Sequence, residues 1–302
     1  MGKEPVLQNT MATAAGTIMF SIVKESVVAF IDDEALTRGA SIAFYTVTSI
    51  GPVLFIVVAI AGIAFGEDAA RGAISSQLGA LMGQQSADLL QTAIRSAART
   101  SSGFLPAAVG IIALVITASG VFTEMQQTLN VIWRAEPTGT TVSRLVRARA
   151  ASLGLVAALG FLLLVSLVVS AVLTALGDYI NAYIPFGHLI LQVLTFVVSF
   201  GFITVLFGAI YKILPDRRIE WHDVMIGAVV TAFLFTTGKL LIGLYIGSSS
   251  MASSYGAAGS LIIVLLWIYY SAQIFLLGAE FTKVYAARRG SHQHHKRDLL
   301  AA

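Results

Sequence analysis

The sequence contains no cysteine, and only 12% of its 302 residues are charged. The lack of cysteine excludes thiol catalysis, cysteine-ligated zinc and a disulfide-stapled secreted domain. A soluble globular domain has about 25% charged residues and about 45–50% apolar residues, whereas 57% of this chain is hydrophobic. So few charges cannot cover a water-exposed surface, which excludes an ordinary soluble enzyme and a disordered protein. The composition is typical of an integral membrane protein.

Long apolar runs are what the sequence has instead. A helix needs about 20 mostly apolar residues to cross a hydrocarbon core about 30 Å thick, and six runs meet this requirement. We therefore predict an all-α, polytopic membrane protein with six transmembrane helices, the second of which can continue as a helix through Glu124 to Trp133. The six runs cover approximately residues 39–65, 105–122, 150–176, 186–210, 224–246 and 257–279.

The positions of lysine and arginine predict the orientation of these helices. Most of the 19 basic residues lie in the N-terminal segment, in the loops after the second and fourth helices, and in the C-terminal tail. Because cytoplasmic loops of membrane proteins are enriched in lysine and arginine, we expect both termini to be cytoplasmic. Arg144, Arg147 and Arg149 directly precede the third apolar run, where contact with phospholipid head groups is expected. RNA binding by these three arginines is a poor alternative.

The predicted spans divide the chain into three parts. Residues 1–38 form a cytoplasmic N-terminal segment, and apolar residues at helical spacing within 16–31 predict an amphipathic helix there. This helix lies either on the membrane surface or packed under the helix bundle. Within the transmembrane domain, residues 39–287, the outer loop 67–103 predicts a helical hairpin that serves as a structural cap or as a substrate gate. The polar tail, residues 288–302, is predicted to be disordered.

Three ionisable residues, Glu124, Lys239 and Glu280, fall within or at the ends of the predicted spans. Such residues cost about 2.5–3.5 kcal/mol on insertion scales and by default indicate function. At about 1.5 Å per residue, Glu124 and Lys239 differ in depth by about 16 Å, which excludes a direct ion pair. Glu124 and Glu280 both fall near the cytoplasmic boundary, where an ionic network with basic residues is expected. The basic residues that arrive there are Arg38, Lys212 and Lys283.

The ionic network and Lys239 each have two interpretations. The network either locks helix ends together or forms a proton or cation site or an inner gate. Lys239 either extends its four-carbon stem toward the outer surface or, with Thr236 and Gly243 on the same helix face, binds an anionic group.

A polar cavity is predicted between the spans. Gly51-Pro52 interrupts the first span close to mid-membrane, because proline lacks a backbone donor and its ring clashes with the preceding turn. Broken helices at that depth recur in transporter sites. On the sixth span, Tyr270, Gln273 and Glu280 share one face that should point into the bundle. Both features also have a structural interpretation, a tolerated kink and hydrogen bonding between helices. The candidate residues of a cavity or gate are Tyr45, Pro52, Glu124, Lys239, Tyr270, Gln273 and Glu280.

Motifs of known catalytic sites are not found in the sequence. It has no P-loop, HExxH or GxSxG motif. Its five histidines lie either at opposite ends of the predicted helices or together in the C-terminal tail. We therefore predict no catalytic residue, no metal site, no cofactor and no nucleic-acid partner.

Three stretches resemble the YihY/BrkB family of bacterial inner-membrane proteins. They are ASIAFYT at 40–46 followed by Pro52, TLNVIW at 128–133, and the stretch from Tyr255 to Thr282, which includes WIYYSAQ and GAEFT. The resemblance implies six spans, an inner-membrane location, a virulence-factor label and no agreed molecular activity. It also implies that the family's older name, ribonuclease BN, is a misassignment, in agreement with the lack of nuclease chemistry here. The matching positions, none with an assigned role, are Tyr45, Pro52, Asn130, Trp133, Gly259, Tyr270, Gln273 and Glu280.

We expect a transporter or permease for a small solute or ion, with the first, second, fifth and sixth spans around a polar cavity in the phospholipid bilayer. The alternative is a non-transporting membrane scaffold that binds lipids or envelope-assembly partners and serves envelope integrity or serum resistance. A homo-oligomer is compatible with either function.

Overall fold

The structure, a computed structural model, describes residues 4–49, 120–135, 187–248 and 257–288, together with residues 66, 72, 88, 91 and 92. Within these ranges the regular secondary structure is entirely α-helical, so the all-α prediction is confirmed for this part of the chain. We number the longer helices in chain order as α1 (Glu4–Asp32), α2 (residues 35–49), α3 (residues 120–132), α4 (Gly187–Ile213), α5 (Trp221–Ser248) and α6 (Ala257–Arg288).

Three of these helices are long and apolar enough to cross a membrane. The qualifying segments are Leu191–Ile213 of α4, Trp221–Tyr245 of α5 and Leu261–Arg288 of α6, which correspond to the predicted fourth, fifth and sixth spans. Helix α2 covers one end of the predicted first span, and α3 is the continuation predicted beyond the second apolar run.

Several predicted features lie outside the described residues. These are the third span, Pro52, the cluster of Arg144, Arg147 and Arg149, the tail after residue 288, and all but four residues of the outer loop. The four described loop positions, residues 72, 88, 91 and 92, are helical. The count of six spans and the orientation of the chain therefore stay predictions.

Large apolar side chains cover the outward surfaces of α4 and α5. Phe196 and Val197 of α4 are each 57% exposed, and Leu244 of α5 is 73% exposed. Exposed apolar surface on this scale indicates an interaction site, and around apolar helices long enough to cross a membrane the natural partner is lipid.

The interior between α4, α5 and α6 is aromatic. Tyr211 of α4 is fully buried, and its ring stacks on Phe275 of α6 with the centroids 5.4 Å apart. The Tyr211 hydroxyl donates to the Phe275 carbonyl at 2.7 Å, which gives this buried phenol the partner that it needs. Phe235 of α5 meets the Trp267 ring edge-on at 6.3 Å. These contacts place α6 against both α4 and α5.

Helices α5 and α6 approach each other through glycine notches. A Cβ atom at Gly278 would overlap the Thr231 hydroxyl and would lie 2.6 Å from the Tyr211 hydroxyl. A Cβ atom at Gly227 would overlap the Thr282 side chain. Such small residues allow helix backbones to come close together in membranes.

Helices α1 and α2 run antiparallel along α6, one after the other. Arg288 at the end of α6 pairs with Glu25 of α1 at 2.5 Å. Val264 and Ile268, nearer the start of α6, pack against Ala43 of α2. The junction of α1 and α2 therefore lies beside the C-terminal half of α6.

Helix α1 packs on α6 with one face and exposes the other. Ile22 is fully buried in a cluster with Phe281 and Val284, which favours the packed position of the two predicted for this helix. On the opposite face, Phe20 is 72% exposed and Ile31 is 62% exposed. Because both faces are apolar, the predicted amphipathic helix is not confirmed.

Candidate functional site

A sharp turn at Asp33 and Glu34 separates α1 from α2. The Glu34 N–H donates to the Ile31 carbonyl at 3.1 Å, which closes the last turn of α1. Glu34 has φ 54°, a left-handed conformation that costs a residue with a Cβ atom about 1–2 kcal/mol. The Glu34 carbonyl accepts a hydrogen bond from the Arg38 N–H at 3.1 Å, so α2 begins immediately after the turn.

Four charged side chains meet at this turn, and we call them the Asp33 cluster. Lys283 of α6 donates to Asp33 Oδ2 at 3.3 Å and to Glu280 Oε2 at 3.1 Å. Arg134, just after α3, donates to the other oxygen of Asp33 at 2.5 Å. The Asp33 and Glu280 side chains are 3% and 0% exposed, whereas that of Arg134 is 64% exposed. The cluster ties α3 and α6 to the turn through two buried carboxyl groups.

Arg134 reaches Asp33 from a second left-handed turn. Its φ is 49°, its N–H donates to the Val131 carbonyl at 3.1 Å, and the next N–H, that of Ala135, donates to the Asn130 carbonyl at 2.8 Å. This pair of hydrogen bonds ends many helices, usually with glycine in the left-handed position. The end of a helix carries partial negative charge, which favours a cation such as the Arg134 guanidinium there.

Burial and nearby positive charge act in opposite directions on the pKa of Asp33. Burial raises its pKa, but hydrogen bonding with the Glu280 carboxyl group and the positive charges nearby outweigh this effect. The positive charges are those of Lys283 and Arg134, and the pKa of Asp33 therefore lies below its usual value. Asp33 thus acts as the fixed anion of the cluster.

The carboxyl group of Glu280 is only half satisfied. Its Oε2 atom accepts the hydrogen bond from Lys283, whereas its Oε1 atom receives none from a donor in the described part of the chain. The Glu280 carboxyl group is also close enough to the Asp33 carboxyl group to form a hydrogen bond with it when one of the two is protonated. A buried polar atom left without a partner costs about 1–3 kcal/mol, and more when it is charged. Glu280 is therefore where the cluster can hold a proton, shared with Asp33, or a cation.

The predicted ionic network is present in part. Glu280 and Lys283 are in contact, and Arg38 donates from its side chain to the Asp33 carbonyl at 3.0 Å. Lys212 donates instead to a backbone carbonyl in the loop before α5. Ion pairs among the described residues include none to Glu124, either with these bases or with Lys239.

Asp33 and Arg134 are not among the residues that the sequence singles out. Both lie in segments predicted to face water, where charged residues are ordinary. The signal for Asp33 is weak: three acidic residues, Asp32 to Glu34, stand between two apolar helical runs. Arg134 has no such signal, because no glycine directly follows Trp133 to indicate that the helix ends there.

Gln273 lies on the same face of α6 as Glu280 and contacts the first turn of α2. Its Nε2 atom donates to the Leu36 carbonyl at 3.4 Å, and a Cβ atom at Gly39 would overlap its side-chain amide. Its Oε1 atom is buried and has no hydrogen-bond partner among the described residues. It is a second unsatisfied oxygen on this face of the helix.

Lys239 and Tyr270 line a narrow crevice between α5 and α6. The Tyr270 ring packs on Gly238, where a Cβ atom would lie 2.7 Å from the Tyr270 hydroxyl. The crevice is too narrow to hold a water molecule. Its other walls include Phe235, Trp267, Ser271 and Ile274.

Tyr45, on α2, contacts α3. A Cβ atom at Gly120 would lie 2.9 Å from its ring, and Tyr45 is 40% exposed. The contacts thus place the described candidates at separate positions: Glu280 in the Asp33 cluster, Gln273 at the start of α2, Lys239 and Tyr270 in the crevice, and Tyr45 against α3. A cavity that joins them stays a prediction, since Pro52 and most of the first three spans lie outside the described residues.

A metal centre is not found in the ranges that the structure describes. They contain no group of three or more histidine, aspartate or glutamate side chains that could hold a metal ion. The arrangement of the Asp33 cluster is suited to ion pairing and proton or cation binding.

Known proteins are similar to this one over most of its length. The profile of the family described as virulence factor BrkB matches residues 26–299. A UPF0761 membrane protein of Pseudoalteromonas translucida is 30% identical over 256 residues, which cover 83% of this chain and 81% of that protein. A UPF0761 membrane protein of Pasteurella multocida is 36% identical over 181 residues, which cover 59% of this chain and 54% of that protein.

A third relative, a UPF0761 membrane protein of Psychrobacter, is 29% identical over 276 residues, which cover 90% of this chain and 49% of that protein. The chain thus spans about half the length of two of these three relatives. No solved structure matches it.

Proposed function

Because this chain belongs to the BrkB family of membrane proteins, we propose that it is a transporter or permease for a small solute or ion. A proton or a monovalent cation binds at the Asp33 cluster and drives or gates this transport. The protein acts without a catalytic step and without a cofactor.

The observation that carries this proposal is the half-satisfied carboxyl group of Glu280. It is 0% exposed, it lies within the segment Leu261–Arg288 that can cross a membrane, and its Oε1 atom receives no hydrogen bond from a donor in the described chain. Ionisable residues at such positions are costly and by default indicate function. A purely structural lock would be expected to satisfy both oxygens of a buried carboxyl group.

The geometry of the cluster suggests how binding is coupled to movement. Lys283 is shared between Asp33 and Glu280, so a proton or cation on Glu280 weakens its hold on Lys283 and strengthens the contact of Lys283 with Asp33. Asp33 lies at the turn between α1 and α2, next to Glu34 in its strained conformation. Strained residues are concentrated at sites that change conformation. Occupation of Glu280 would thus change the angle between α1 and α2.

We place the protein in the bacterial inner membrane with the Asp33 cluster at its cytoplasmic side. Basic residues from different parts of the chain support this orientation, because contacts bring them to one end of the helices. Arg134 reaches Asp33, Arg288 pairs with Glu25, and Arg217 donates to the Trp133 carbonyl at 2.6 Å. Such enrichment is typical of the cytoplasmic side.

A non-transporting scaffold is the second candidate function. The close contact of α5 with α6 at Gly227 and Gly278 favours it, because helices packed this closely leave no space between them at these positions. A scaffold would bind lipids or envelope proteins through its outer surface, as a monomer or a homo-oligomer, and would need no change at Glu280.

Proteoliposomes on a solid-supported membrane can distinguish the two functions. We expect transient currents in response to a jump in pH or in Na⁺ or K⁺ concentration, and their loss in Glu280→Gln, which keeps the shape of the side chain but not its charge. Glu25→Gln is the matched control, since Glu25 also pairs with a base of α6 but is 48% exposed and lies outside the cluster. Currents that persist in Glu280→Gln contradict the proposed site. A wild-type protein that is silent to all three jumps contradicts the proposed function and favours the scaffold.

A further inference from the structure

The carboxyl groups of Asp33 and Glu280 lie against each other as well as against Lys283. The Lys283 ammonium is 3.3 Å from Asp33 Oδ2 and 3.1 Å from Glu280 Oε2, and the two carboxyl groups are within hydrogen-bonding distance of each other. Their side chains are 3% and 0% exposed. Two carboxylates this close repel each other when both are ionised, whereas a single proton between them replaces the repulsion by a hydrogen bond. The pair therefore favours a shared proton.

Lys283 already occupies the place that a metal cation would take. A Na⁺ or K⁺ ion held by both carboxylates would have to lie where the ammonium lies, between Asp33 Oδ2 and Glu280 Oε2. An ion on the other oxygen of Glu280 would be close to the ammonium, and like charges in a buried site repel strongly. The described residues also contain no group of three or more histidine, aspartate or glutamate side chains that could share the ion. A proton needs neither space beside the ammonium nor further ligands, because it becomes part of the carboxyl group.

The two carboxyl groups differ in the cations that they contact. Arg134, after α3, donates to Asp33 Oδ1 at 2.5 Å, and Arg38 of α2 donates to the Asp33 carbonyl at 3.0 Å. Asp33 shares Lys283 as well, whereas among the described residues the cation that contacts Glu280 is Lys283. Positive charge favours the ionised form of a carboxyl group. The proton therefore resides on Glu280, and Asp33 stays the anion that accepts its hydrogen bond.

Other acidic residues of the neighbouring elements lie apart from this pair. Asp32 and Glu34, in the turn itself, are exposed to water. On α5, Asp223 is buried, but it lies one helical turn before Gly227, which contacts Thr282. Because α5 and α6 run antiparallel, Asp223 is level with the part of α6 beyond Thr282. The pair thus responds mainly to the charges of the Asp33 cluster.

The pair is also stable without the proton, which a site that loads and unloads requires. Two cations, Lys283 and Arg134, then balance two carboxylates. The Arg134 side chain is 64% exposed, so water reaches the edge of the cluster. A hydronium ion there gives its proton to Glu280, which forms an O–H bond on the carboxyl group and leaves a water molecule. The reverse reaction returns the proton to water.

We propose that the Asp33 cluster binds a proton and not a metal cation, that the proton resides on Glu280, and that Asp33 accepts its hydrogen bond. The proposal rests on the function proposed above only where it makes this proton the ion that drives or gates transport. Binding of the proton can be measured in the absence of any transport.

Infrared difference spectroscopy of the full-length protein in liposomes tests the proposal, because a protonated carboxyl group has a C=O stretching band that a carboxylate lacks. Spectra are recorded across a step from neutral to acidic pH, and across steps in Na⁺ or K⁺ concentration at constant pH. We expect the acid step to produce a carboxylic acid band that shifts in heavy water and is lost in Glu280→Gln. Asp33→Asn should keep this band at a changed frequency, because the amide oxygen also accepts the hydrogen bond. The Na⁺ and K⁺ steps should leave the carboxylate band of Glu280 unchanged.

Glu25→Gln is the matched control, since Glu25 also pairs with a base of α6 but is 48% exposed. It should keep the band assigned to Glu280. Identical acid bands in the wild type and Glu280→Gln overturn the proposal. So does a carboxylate band that responds to Na⁺ or K⁺ at constant pH and is missing in Glu280→Gln. If Glu280→Gln does not fold, Glu280→Asp takes its place: it keeps the acid on a shorter stem and should move the band, and an unmoved band overturns the proposal.

The outcomes separate proton binding from transport. A Glu280 acid band in a protein whose proteoliposomes give no current supports the proton site and contradicts transport. Currents that are driven by Na⁺ or K⁺ and lost in Glu280→Gln, without the acid band, support transport and overturn the proton site.

Discussion

Asn130 and Asp216 exchange two hydrogen bonds. The Asn130 side-chain amide donates to Asp216 Oδ2 at 2.8 Å, and the Asp216 backbone N–H donates to Asn130 Oδ1, also at 2.8 Å. Gln126, one turn earlier on α3, donates to the second carboxylate oxygen at 3.3 Å. The two residues join the end of α3 to the loop between α4 and α5, which gives Asn130, a position shared with the family, a structural role.

Exchange of the two side chains should restore what a single change removes. Asn130→Asp replaces a donor by an acceptor and brings two carboxylates together, so we expect a loss of about 1–3 kcal/mol in the free energy of unfolding. The double variant Asn130→Asp with Asp216→Asn again pairs an amide with a carboxylate. Thermal unfolding in detergent gives the stability of the wild type, of Asn130→Asp and of the double variant. A double variant no more stable than Asn130→Asp would contradict the reciprocal contact.

Asp33→Asn should destabilise the protein at neutral pH but much less in acid. The pKa of Asp33 in the folded protein lies below its ordinary value of 3.8, so its stabilising effect is complete above 3.8 and is lost as the pH falls through the folded value. We expect Asp33→Asn to lower the free energy of unfolding by about 1–3 kcal/mol at neutral pH. The loss stays within this range because Lys283 keeps its contact with Glu280. The unfolding midpoints of variant and wild type should converge below pH 3.8. A difference independent of pH would contradict the ion pairing of Asp33.

Gly278→Ala should be among the most harmful glycine-to-alanine changes in the described helices. Its Cβ atom would overlap the Thr231 hydroxyl across the α5–α6 contact, and overpacking of this kind costs about 1–3 kcal/mol. Gly201→Ala on α4 is the control, since nothing lies within 4 Å of its Cβ position. The control should be neutral or slightly stabilising, because alanine favours a helix over glycine. Equal unfolding temperatures for the two variants would show that α5 and α6 are not in close contact.

The absence of cysteine allows the orientation to be tested with single introduced thiols. Arg218→Cys lies in the loop between α4 and α5, and Ser248→Cys lies at the opposite end of α5. With a membrane-impermeant maleimide on intact spheroplasts, we expect labelling of Ser248→Cys, and labelling of Arg218→Cys only after permeabilisation. The unchanged protein is the blank. The reverse pattern would place the Asp33 cluster on the outer side.

The spans of α4, α5 and α6 could be predicted because hydropathy is a local property. Each needs only a run of apolar residues long enough for the bilayer. The pairing of Glu280 with Lys283 was equally accessible, since three residues separate them on one helix and such neighbours face each other.

The rest of the Asp33 cluster could not be predicted from local patterns. It depends on where α1 and α3 end, and both ends have a charged residue, Glu34 or Arg134, in the left-handed position where glycine is the usual signal. Contacts between distant segments decide such features, and a single sequence does not display them.

The antiparallel contact of α1 and α2 with α6 also sets an order of events during synthesis. Lys283 follows Asp33 by 250 positions in the chain, so the turn between α1 and α2 enters the membrane environment long before its partner on α6 exists. Contacts between such remote segments form late and slow folding. Until α6 is made, Asp33 has Arg134 but not Lys283 as a partner, and the apolar face around Ile22 stays uncovered. The protein therefore closes on itself only when its last described helix is in place.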